Sequence, residues 1–488
     1  MTDLTAGMSR EQMLEERLRL NSISPDDGKY ARESAKLAPY ISAAAEWSMC
    51  ARIQLVLLET RAEFGQARQE HVAAVRAAVQ QFDPLNAALL EGRLRHDQLA
   101  VLEELGRWMP QEIKALLHPG TTSYDILDTA RSVLFQGAWK EVIRPKVAEV
   151  IGKLCSSAEE YTRVLQAGRT HLQRTSPVPF SATLALYAAR LAGRTEFCDG
   201  AFADLRGKIS GIVGTGGSID MVIGEGRSLA FEERVLAKLG LKPDLTATQI
   251  VQKERLADVG HGLATLAYVL GDFANDMRLL YCSDIGEVTS REGRLRLGGS
   301  SADASKNNPI NWENIAGKGI VVQSGMPVLY AMIQSDLQRD LRGSVQGRYQ
   351  PQEMMAEVYE SFCRASKELD QLSVNHDRMA GNLESVRRFP SEAMVAIMRA
   401  HAWIHPQYGV GHDAVKEFSR AAQREQRPLL DVARADRHFE QFFSGLNSRE
   451  QSILKGGLEL YTGSAGERAQ RNIDYAQGVA GRYADGKP

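Results

Sequence analysis

The segment from Gly298 to Ile315, GGSSADASKNNPINWENI, combines residue types that can bind an anion and react with it. Paired glycines supply a hinge, two serines and Asn308 supply hydrogen-bond donors, Lys306 supplies a cation, and a helical pattern resumes at Glu313. A polar loop of this kind between two helical stretches suits a lid that closes over an anion. The alternative is a solvated linker, which is what most Gly/Ser-rich loops are.

The loop resembles the signature of the aspartase/fumarase lyase superfamily, Gly-Ser-Ser-x-Met-Pro-x-Lys-x-Asn-Pro-x-x-x-Glu. Two positions depart from that signature, because Asp303 stands in place of Met and Ala304 in place of Pro. The residues that are in register are Gly299, Ser300, Ser301, Lys306, Asn308, Pro309 and Glu313.

A histidine, His171, lies in the segment GRTHLQRTSPVPF (Gly168–Phe180), which the pattern predicts to be a polar break between two helices. A lone histidine is more often structural than catalytic. The segment resembles the one that contains the general-acid histidine of the superfamily, written Gly-Arg-Thr-His in adenylosuccinate lyases. Its Leu-Gln-Arg continuation is more similar to argininosuccinate lyases. The resemblance implies that Thr170 contacts the substrate.

Two further segments resemble active-site segments of adenylosuccinate lyases. The run Arg95-His96-Asp97 is similar to an Arg-His-Asp segment whose histidine assists at the active site; the alternative is a solvated helix face. The segment HPGTTSYDILDTA resembles one in which Thr122 and Ser123 donate hydrogen bonds to a substrate carboxylate. The alternative there is an ordinary helix N-cap.

Four other matches extend the resemblance over almost the whole chain. SPDDGKY (Ser24–Tyr30) is similar to the N-terminal Ser-Pro-x-Asp-Gly-Arg-Tyr of adenylosuccinate lyases, with Lys29 in place of Arg and with Tyr30 retained. YTGSA ends the similarity near Ala465. The family's positions for glutamine binding and nucleotide contact fall on Gln249, Arg339, Ser344 and Arg348. The last two are four residues apart, which predicts that they share one helical face.

The resemblance implies a C–N lyase that eliminates fumarate, with adenylosuccinate as the expected substrate and AMP as the second product. Removing a proton beside a carboxylate makes a doubly charged aci-carboxylate, which needs preorganised donors. Ser300 would be the base and His171 the acid, while Lys306 and Asn308 would hold the charge. His96 would assist, and Glu313 would orient a histidine. No metal or other cofactor is expected.

Three alternatives remain open. The substrate could be a smaller succinate derivative such as nitrosuccinate, which would release fumarate and nitrite. An argininosuccinate-type C–N lyase is a second possibility. A third is a non-catalytic relative, as some lens crystallins are among argininosuccinate lyases, although the chain retains Ser300, His171, Lys306 and Asn308 together.

The bulk composition narrows the class of protein. The 488 residues have a net charge of −2, so nothing global indicates binding to nucleic acid or to an acidic membrane. The N-terminus has no apolar signal core, and the uncharged runs are short for a membrane span. The five cysteines are far apart and predict free thiols in a reducing compartment. We therefore expect a cytoplasmic protein that binds a small anionic dicarboxylate.

Three apolar seams with alternating steps of three and four residues predict a left-handed helix bundle. An all-α fold follows, with central helices of roughly 30 residues, longer than usual. The resemblance implies three helical domains, placed at 1–120, 121–370 and 371–488, and a homotetramer whose active sites are each shared among three subunits. The seams are Val147, Ile151, Leu154, Ala158, Tyr161 and Leu165; Leu256, Val259, Leu263, Leu266, Leu270, Phe273, Met277 and Leu280; and Met355, Val358, Phe362, Ala365, Leu369 and Leu372.

Overall fold

The computed structural model describes residues 8–291, 302–303 and 306–483. Four of the loop residues compared with the signature, Gly299, Ser300, Ser301 and Ala304, lie outside the described residues. The N-terminal helices are short apart from α4, which begins after Ser42, whose side chain accepts a hydrogen bond from the Ala45 amide at 3.2 Å. They are α1 (Arg10–Leu20), α2 (Ala31–Ser34), α3 (Ala38–Ile41), α4 (Ala43–Glu63), α5 (Gln69–Gln80), α6 (Pro84–Leu94), α7 (Asp97–Gly106) and α8 (Gln111–Lys114).

The middle of the chain contains the long helices, and a π-helical turn at Ala138–Ile143 joins two of them into one run over residues 123–160. The elements are α9 (Ser123–Gly137), α10 (Arg144–Glu160), β1 (Leu165–Thr170), β2 (Gln173–Pro179), α11 (Phe180–Ala203), α12 (Gly217–Ile223), α13 (Ser228–Lys238), α14 (Glu254–Tyr281), β3 (Val288–Ser290), α15 (Ile310–Ser324), α16 (Met326–Met332), α17 (Arg342–Gln346) and α18 (Gln350–Gln371).

The C-terminal part is built of short helices and ends on a long one. Its elements are β4 (Leu372–Val374), α19 (His376–Arg388), α20 (Ser391–Ala400), β5 (Ile404–His405), β6 (Gly409–Val410), α21 (Gly411–Glu425), α22 (Leu429–Arg434), α23 (Arg437–Ser444), α24 (Ser448–Leu454) and α25 (Ala465–Tyr483).

The predicted all-α fold with a long central bundle is confirmed. Within the described residues the strands form three two-stranded antiparallel sheets, each a small addition to the helices. The seam on α14 is buried as predicted, since Leu266, Leu270, Phe273 and Met277 are fully inaccessible to solvent. The seam that begins at Val147 ends earlier than predicted: α10 stops at Glu160, and Leu165 belongs to β1.

Close packing of the helices in the bundle depends on glycines. A Cβ on Gly260 of α14 would lie 2.1 Å from Cδ1 of Leu329 on α16. A Cβ on Gly319 of α15 would lie 3.3 Å from the carbonyl oxygen of Ala267 on α14. The two neighbouring helices can therefore approach α14 closely, which fixes α15 beside it.

In the described ranges of the chain, buried apolar side chains form three large clusters. One fills the bundle of α10, α11, α14, α15, α18 and α25. A second joins the N-terminal helices to residues of the 209–250 stretch, and a third lies within residues 393–454. Helix α25 packs against α10 and α11. The domain boundaries at about 120 and 370 stay a prediction.

Two sequence-based expectations, free cysteine thiols and runs too short for a membrane span, can be compared with this structure. The five cysteines are free thiols, as predicted, and Cys50, Cys155 and Cys198 are buried. Among the residues that the structure describes, one helical stretch, Ala31–Glu63, is apolar enough by length and composition to cross a membrane, and 44% of its most apolar window is buried in the protein. This is weak evidence for a membrane span, because core helices of soluble proteins pass the same test.

Candidate active site

His171 lies at the tip of a β-hairpin, not in the plain polar break between helices that the sequence pattern predicts. Strands β1 and β2 pair up to Thr170 and Gln173, which leaves His171 and Leu172 as a two-residue turn. Both turn residues are left-handed, with φ of 53° and 60°. Such a turn matches the twist of a hairpin. His171 is exposed to solvent at this tip.

An ion pair joins this hairpin to the strand that precedes the signature loop. The Arg169 guanidinium donates to both carboxylate oxygens of Glu287, at 2.6 and 3.0 Å, and Glu287 is fully buried. The Asn382 amide of α19 also donates to Glu287, at 2.8 Å. Because β3 begins at Val288, the pair fixes the hairpin relative to the root of that loop. Sequence reasoning missed Glu287, since nothing in its neighbourhood indicates a partner 118 residues away.

The structure brings His96, Asp97 and Ser123 together at the N-termini of α7 and α9. The His96 side chain caps α7, because its Nδ1 accepts a hydrogen bond from the Leu99 amide at 3.3 Å. The neutral ring then has its proton on Nε2, which lies 3.5 Å from Oγ of Ser123. The Asp97 carboxylate lies 3.6 Å from the same ring. His96 is therefore at a helix end and not on a solvated helix face.

Two further predicted residues flank this group. Arg95 ends α6 in a left-handed conformation with φ of 54°. Thr122 is the N-cap of α9, where a capping box joins it to Asp125 and its own amide donates to Asp125 Oδ2 at 2.7 Å. The N-cap interpretation of Thr122 is thus confirmed, and it leaves Ser123 at the first helical position with its hydroxyl toward His96.

A buried ion pair that sequence reasoning missed holds the start of α9 in place. Asp125 and Lys208 are both fully buried and in contact. The Asp125 carboxylate also accepts hydrogen bonds from the amides of Ser210 and Gly211, at 3.0 and 3.2 Å. One carboxylate therefore ties the first turn of α9 to the glycine-rich stretch near residue 210.

A second group of predicted residues surrounds the guanidinium of Arg339. It donates to Oε1 of Gln249 at 2.9 Å and to Oγ of Ser344 at 3.0 Å. Its centre lies 3.9 Å from the ring centroid of Tyr124, whose hydroxyl contacts Ser344. Arg339, Ser344 and Tyr124 line a small cavity of about 50 Å³. Tyr124 follows Ser123 on α9, so this group lies beside the His96 group.

One prediction about this second group is wrong. Ser344 and Arg348 do not share a helical face, because α17 is only five residues long and ends at Gln346. Arg348 lies in the following turn and is exposed. The turn at Gly347 separates the two side chains that a continuous helix would have aligned.

The N-terminal motif packs against α15, close to Glu313. The Tyr30 hydroxyl accepts a hydrogen bond from the Asn314 amide at 3.4 Å. Lys318 Nζ and the Arg364 guanidinium lie 4.4 and 4.9 Å from the Tyr30 ring centroid. Lys29 is exposed beside it, with its Nζ 5.6 Å from the same ring.

The described end of the signature loop lines a different cleft. Asn308 borders a cleft of about 260 Å³ that is also lined by Ser290 of β3 and Glu368 of α18. Lys306 is exposed, and its amide donates to the carbonyl oxygen of Asp303 at 3.2 Å. Glu313 is exposed on the first turn of α15. Ser300 and Ser301 lie outside the described residues.

A model of a family described as lyase matches residues 34–324. This chain belongs to that lyase family, and the resemblance to the aspartase/fumarase superfamily and to adenylosuccinate lyases is confirmed.

Known relatives and solved structures agree with this assignment. The chain is 27% identical to the adenylosuccinate lyase of Archaeoglobus fulgidus over 435 residues, which cover 88% of this chain and 93% of the relative. It is 29% identical to that of Bacillus subtilis, over 79% of this chain and 86% of the relative. A fumarate lyase from Mesorhizobium sp. shares the fold with a TM-score of 0.76 at 22% identity, over 90% of this chain and 97% of that one.

A second solved structure has the same fold and belongs to an enzyme with a different activity. The 3-carboxy-cis,cis-muconate lactonizing enzyme of Pseudomonas putida superposes with a TM-score of 0.76 at 20% identity. The superposition covers 91% of this chain and 97% of that one. At these identities the solved structures establish the fold, and the substrate has to be argued from the residues of this chain.

Proposed function

We propose that this lyase is a C–N lyase that releases fumarate, and that its substrate is adenylosuccinate. The observation that supports this substrate most strongly is the Arg339 group. The Arg339 guanidinium donates to Gln249 and Ser344, lies against the ring of Tyr124 and borders a small cavity. Arg348 and Lys29 are exposed cations available to a phosphate.

The proposed chemistry is a β-elimination. Ser300 removes the proton beside the succinyl carboxylate, and Lys306, Asn308 and Ser301 stabilise the aci-carboxylate that forms. His171 protonates the leaving nitrogen, and Glu313 orients a histidine. A serine hydroxyl is a weak base, so the neighbouring cation and amides must favour its alkoxide.

The other site residues take binding roles in this proposal. Ser123 and Thr122 donate to a substrate carboxylate, and His96 assists from its position 3.5 Å from Ser123. The remaining proposed contacts are made by Tyr30, Arg95, Asp97 and Thr170. The reaction needs no cofactor, and a cytoplasmic location fits an enzyme of this class.

The proposed assembly is a homotetramer in which three subunits form each active site. His171 lies on the hairpin, Ser123 at the start of α9 and Asn308 beside the cleft at β3, so the proposed residues belong to separate elements. Large apolar side chains are exposed along the bundle helices, which supports burial against other subunits. They include Leu186, Phe197, Tyr268, Ile320, Val321 and Tyr330.

We predict that light scattering will give four times the subunit mass at micromolar concentration. Replacing Ile320 and Tyr330, which are 61% and 53% exposed, with glutamate should dissociate the tetramer and abolish activity, because charge on a buried contact is costly. The control is Leu20→Glu, at an exposed position on α1. A stable monomer with full activity would contradict the shared active site.

A smaller succinate derivative is the second candidate, and the signature loop favours it. Asp303 stands where the family has Met, and an acidic residue there changes the charge near the substrate. The deciding experiment is to measure fumarate released from adenylosuccinate, argininosuccinate and nitrosuccinate. Fumarate from nitrosuccinate alone, with no inhibition by millimolar AMP, would exclude the nucleotide substrate and keep the lyase class.

We predict that Arg339→Met raises KM for adenylosuccinate by about 10- to 150-fold, because a charge-assisted hydrogen bond contributes about 1.5–3 kcal/mol. Turnover should change little, since a phosphate lies away from the breaking C–N bond and binds similarly in the ground and transition states. The control is Arg342→Met, a nearby arginine paired with Asp336 and Asp340. An unchanged KM in steady-state kinetics would remove Arg339 from the binding site.

A further inference from the structure

A buried charge cluster lies beneath the N-terminal motif, and nothing in the proposed reaction uses it. Lys318 of α15 is 5% exposed and donates to Glu357 and, at 2.8 Å, to Glu360, both on α18. Glu360 is fully buried. A lysine and two glutamates in the interior of a bundle are costly to desolvate, so such a cluster persists only when its members satisfy one another.

The N-terminal segment (Ser24–Tyr30) adds a third carboxylate to this cluster. Each of the three carboxylates has one oxygen within 4.8 Å of an oxygen of the other two; the residues are Asp26, Glu357 and Glu360. In the described part of the chain, Oδ1 of Asp26 and Oε1 of Glu360 are buried without a hydrogen-bond partner. This spacing would suit a divalent cation, but the Lys318 ammonium already contacts two of the three carboxylates. The cluster therefore has an excess of negative charge.

A proton relieves that excess. Burial, followed by the charge of Glu357, raises the pKa of Asp26 to about 6, while Lys318 lowers it and the nearby Glu353 and Asp27 raise it. Burial also raises the pKa of Glu360 to about 7, against the opposing effect of Lys318. The Asp26 carboxyl is consequently neutral in mild acid and charged above neutrality.

The same lysine contacts the residue that follows in the motif. Lys318 Nζ lies 4.4 Å from the Tyr30 ring centroid, and the guanidinium of Arg364 lies 4.9 Å from it. Two cations near one aromatic ring favour a fixed ring position. Asp26 and Tyr30 therefore hold the two ends of a short stretch against α15 and α18.

We propose that Lys318 and Asp26 are positioning residues for Lys29 and Tyr30: Lys318 holds the N-terminal segment against α15 and α18, and the segment stays docked when the Asp26 carboxyl is protonated. This inference depends on the proposed function in one respect, namely that Lys29 and Tyr30 contact the substrate.

The pH dependence has a defined sign. The pKa of Asp26 is higher in the docked segment than its ordinary value of 3.8. Docking is therefore strongest below pH 3.8 and weakens as pH rises through about 6. The pKa of Asp26 rises from 3.8 to about 6 on docking. The equilibrium constant for docking should therefore be about 100-fold lower above pH 6 than below pH 3.8.

Hydrogen exchange of the whole protein tests docking without any substrate. Protection of the amides of residues 24–30, corrected for intrinsic exchange rates, should fall by up to about 100-fold from low pH to pH 8. Asp26→Asn should remove this dependence and be better protected than the wild type at pH 8. The matched control, Asp27→Asn at the exposed neighbouring carboxyl, should keep the pH dependence with only a slightly lower midpoint, because Asp27 contributes least to the raised pKa of Asp26.

The opposite result for Asp26→Asn would overturn the proposal. If the Asp26 charge is needed to hold Lys318, the variant will be less protected than the wild type at pH 8. Lys318→Met alone leaves two buried glutamates unpaired, so the folded test is the triple variant Lys318→Met/Glu357→Gln/Glu360→Gln. We expect it to retain the helical circular dichroism spectrum and to lose protection of residues 24–30; unchanged protection would exclude a positioning role for Lys318.

Kinetics separates this inference from the proposed function. The KM of the wild type should rise with pH between about 5 and 8, whereas that of Asp26→Asn should not, and kcat should be the same for both. The expected exchange results with an unmoved KM would overturn the substrate contacts of Lys29 and Tyr30. Absent exchange effects would overturn the positioning roles of Asp26 and Lys318 whatever the substrate is.

Discussion

His171→Ala and Ser300→Ala should each lower kcat by about 100-fold or more, since a positioned general acid or base contributes about 10²–10⁴-fold. His171 is exposed at the tip of the β1–β2 hairpin, where its ring is free to reach a leaving nitrogen. The role of Ser300 rests on its register in the signature loop. Single-turnover fumarate release, measured at saturating substrate, reports the chemical step directly.

Two neighbouring substitutions serve as controls for these variants. Leu172→Ala alters the other turn residue of the hairpin, which has a similar left-handed conformation, and it should retain most of the activity. Ser305→Ala changes a serine of the same loop that has no proposed role. Near-normal kcat for His171→Ala or Ser300→Ala would refute the role of that residue.

Breaking the Asp125–Lys208 pair should have the largest effect on stability. Either Asp125→Asn or Lys208→Met leaves a buried group without its partner, which costs about 3–5 kcal/mol. Urea denaturation should show the loss as a lower midpoint for the unit that contains α9, and activity should fall with it because Thr122 and Ser123 begin that helix.

The double variant makes this test sharper. Asp125→Asn/Lys208→Met removes both buried charges and keeps side chains of similar size, so it should regain part of the lost stability. Arg234→Ala is the surface control, because its partner Glu63 is also exposed to solvent, and the midpoint should barely move. A double variant that loses the full sum of the single effects would contradict the assigned ion pair.

The central bundle could be predicted because its apolar period is a property of neighbouring residues. Val259, Leu266 and Phe273 recur at helical spacing, and their burial follows from any packing that covers one face. The β1–β2 hairpin could not be predicted in the same way. Its turn is His171-Leu172, without the glycine or asparagine that usually marks such a turn.

The residues of the candidate site could be predicted from the sequence, but their contacts with one another could not. The motif register identified His96, Ser123 and Arg339, but their partners depend on contacts between segments far apart in the chain. Lys318 is an example of a residue whose environment could not be predicted. A lysine in a helical pattern is usually exposed to solvent, and only the fold shows that this one is buried against two glutamates.

Helix α25 has a consequence for how the chain is made. Its residues Ile473 and Val479 share one core with α10 and α11, although α11 ends at Ala203. At a synthesis rate of about 5–20 residues per second, α11 leaves the ribosome roughly 10–50 s before α25. During that interval the apolar face that α25 will cover stays open to water, and exposed apolar surface of this kind makes an incomplete chain prone to aggregation.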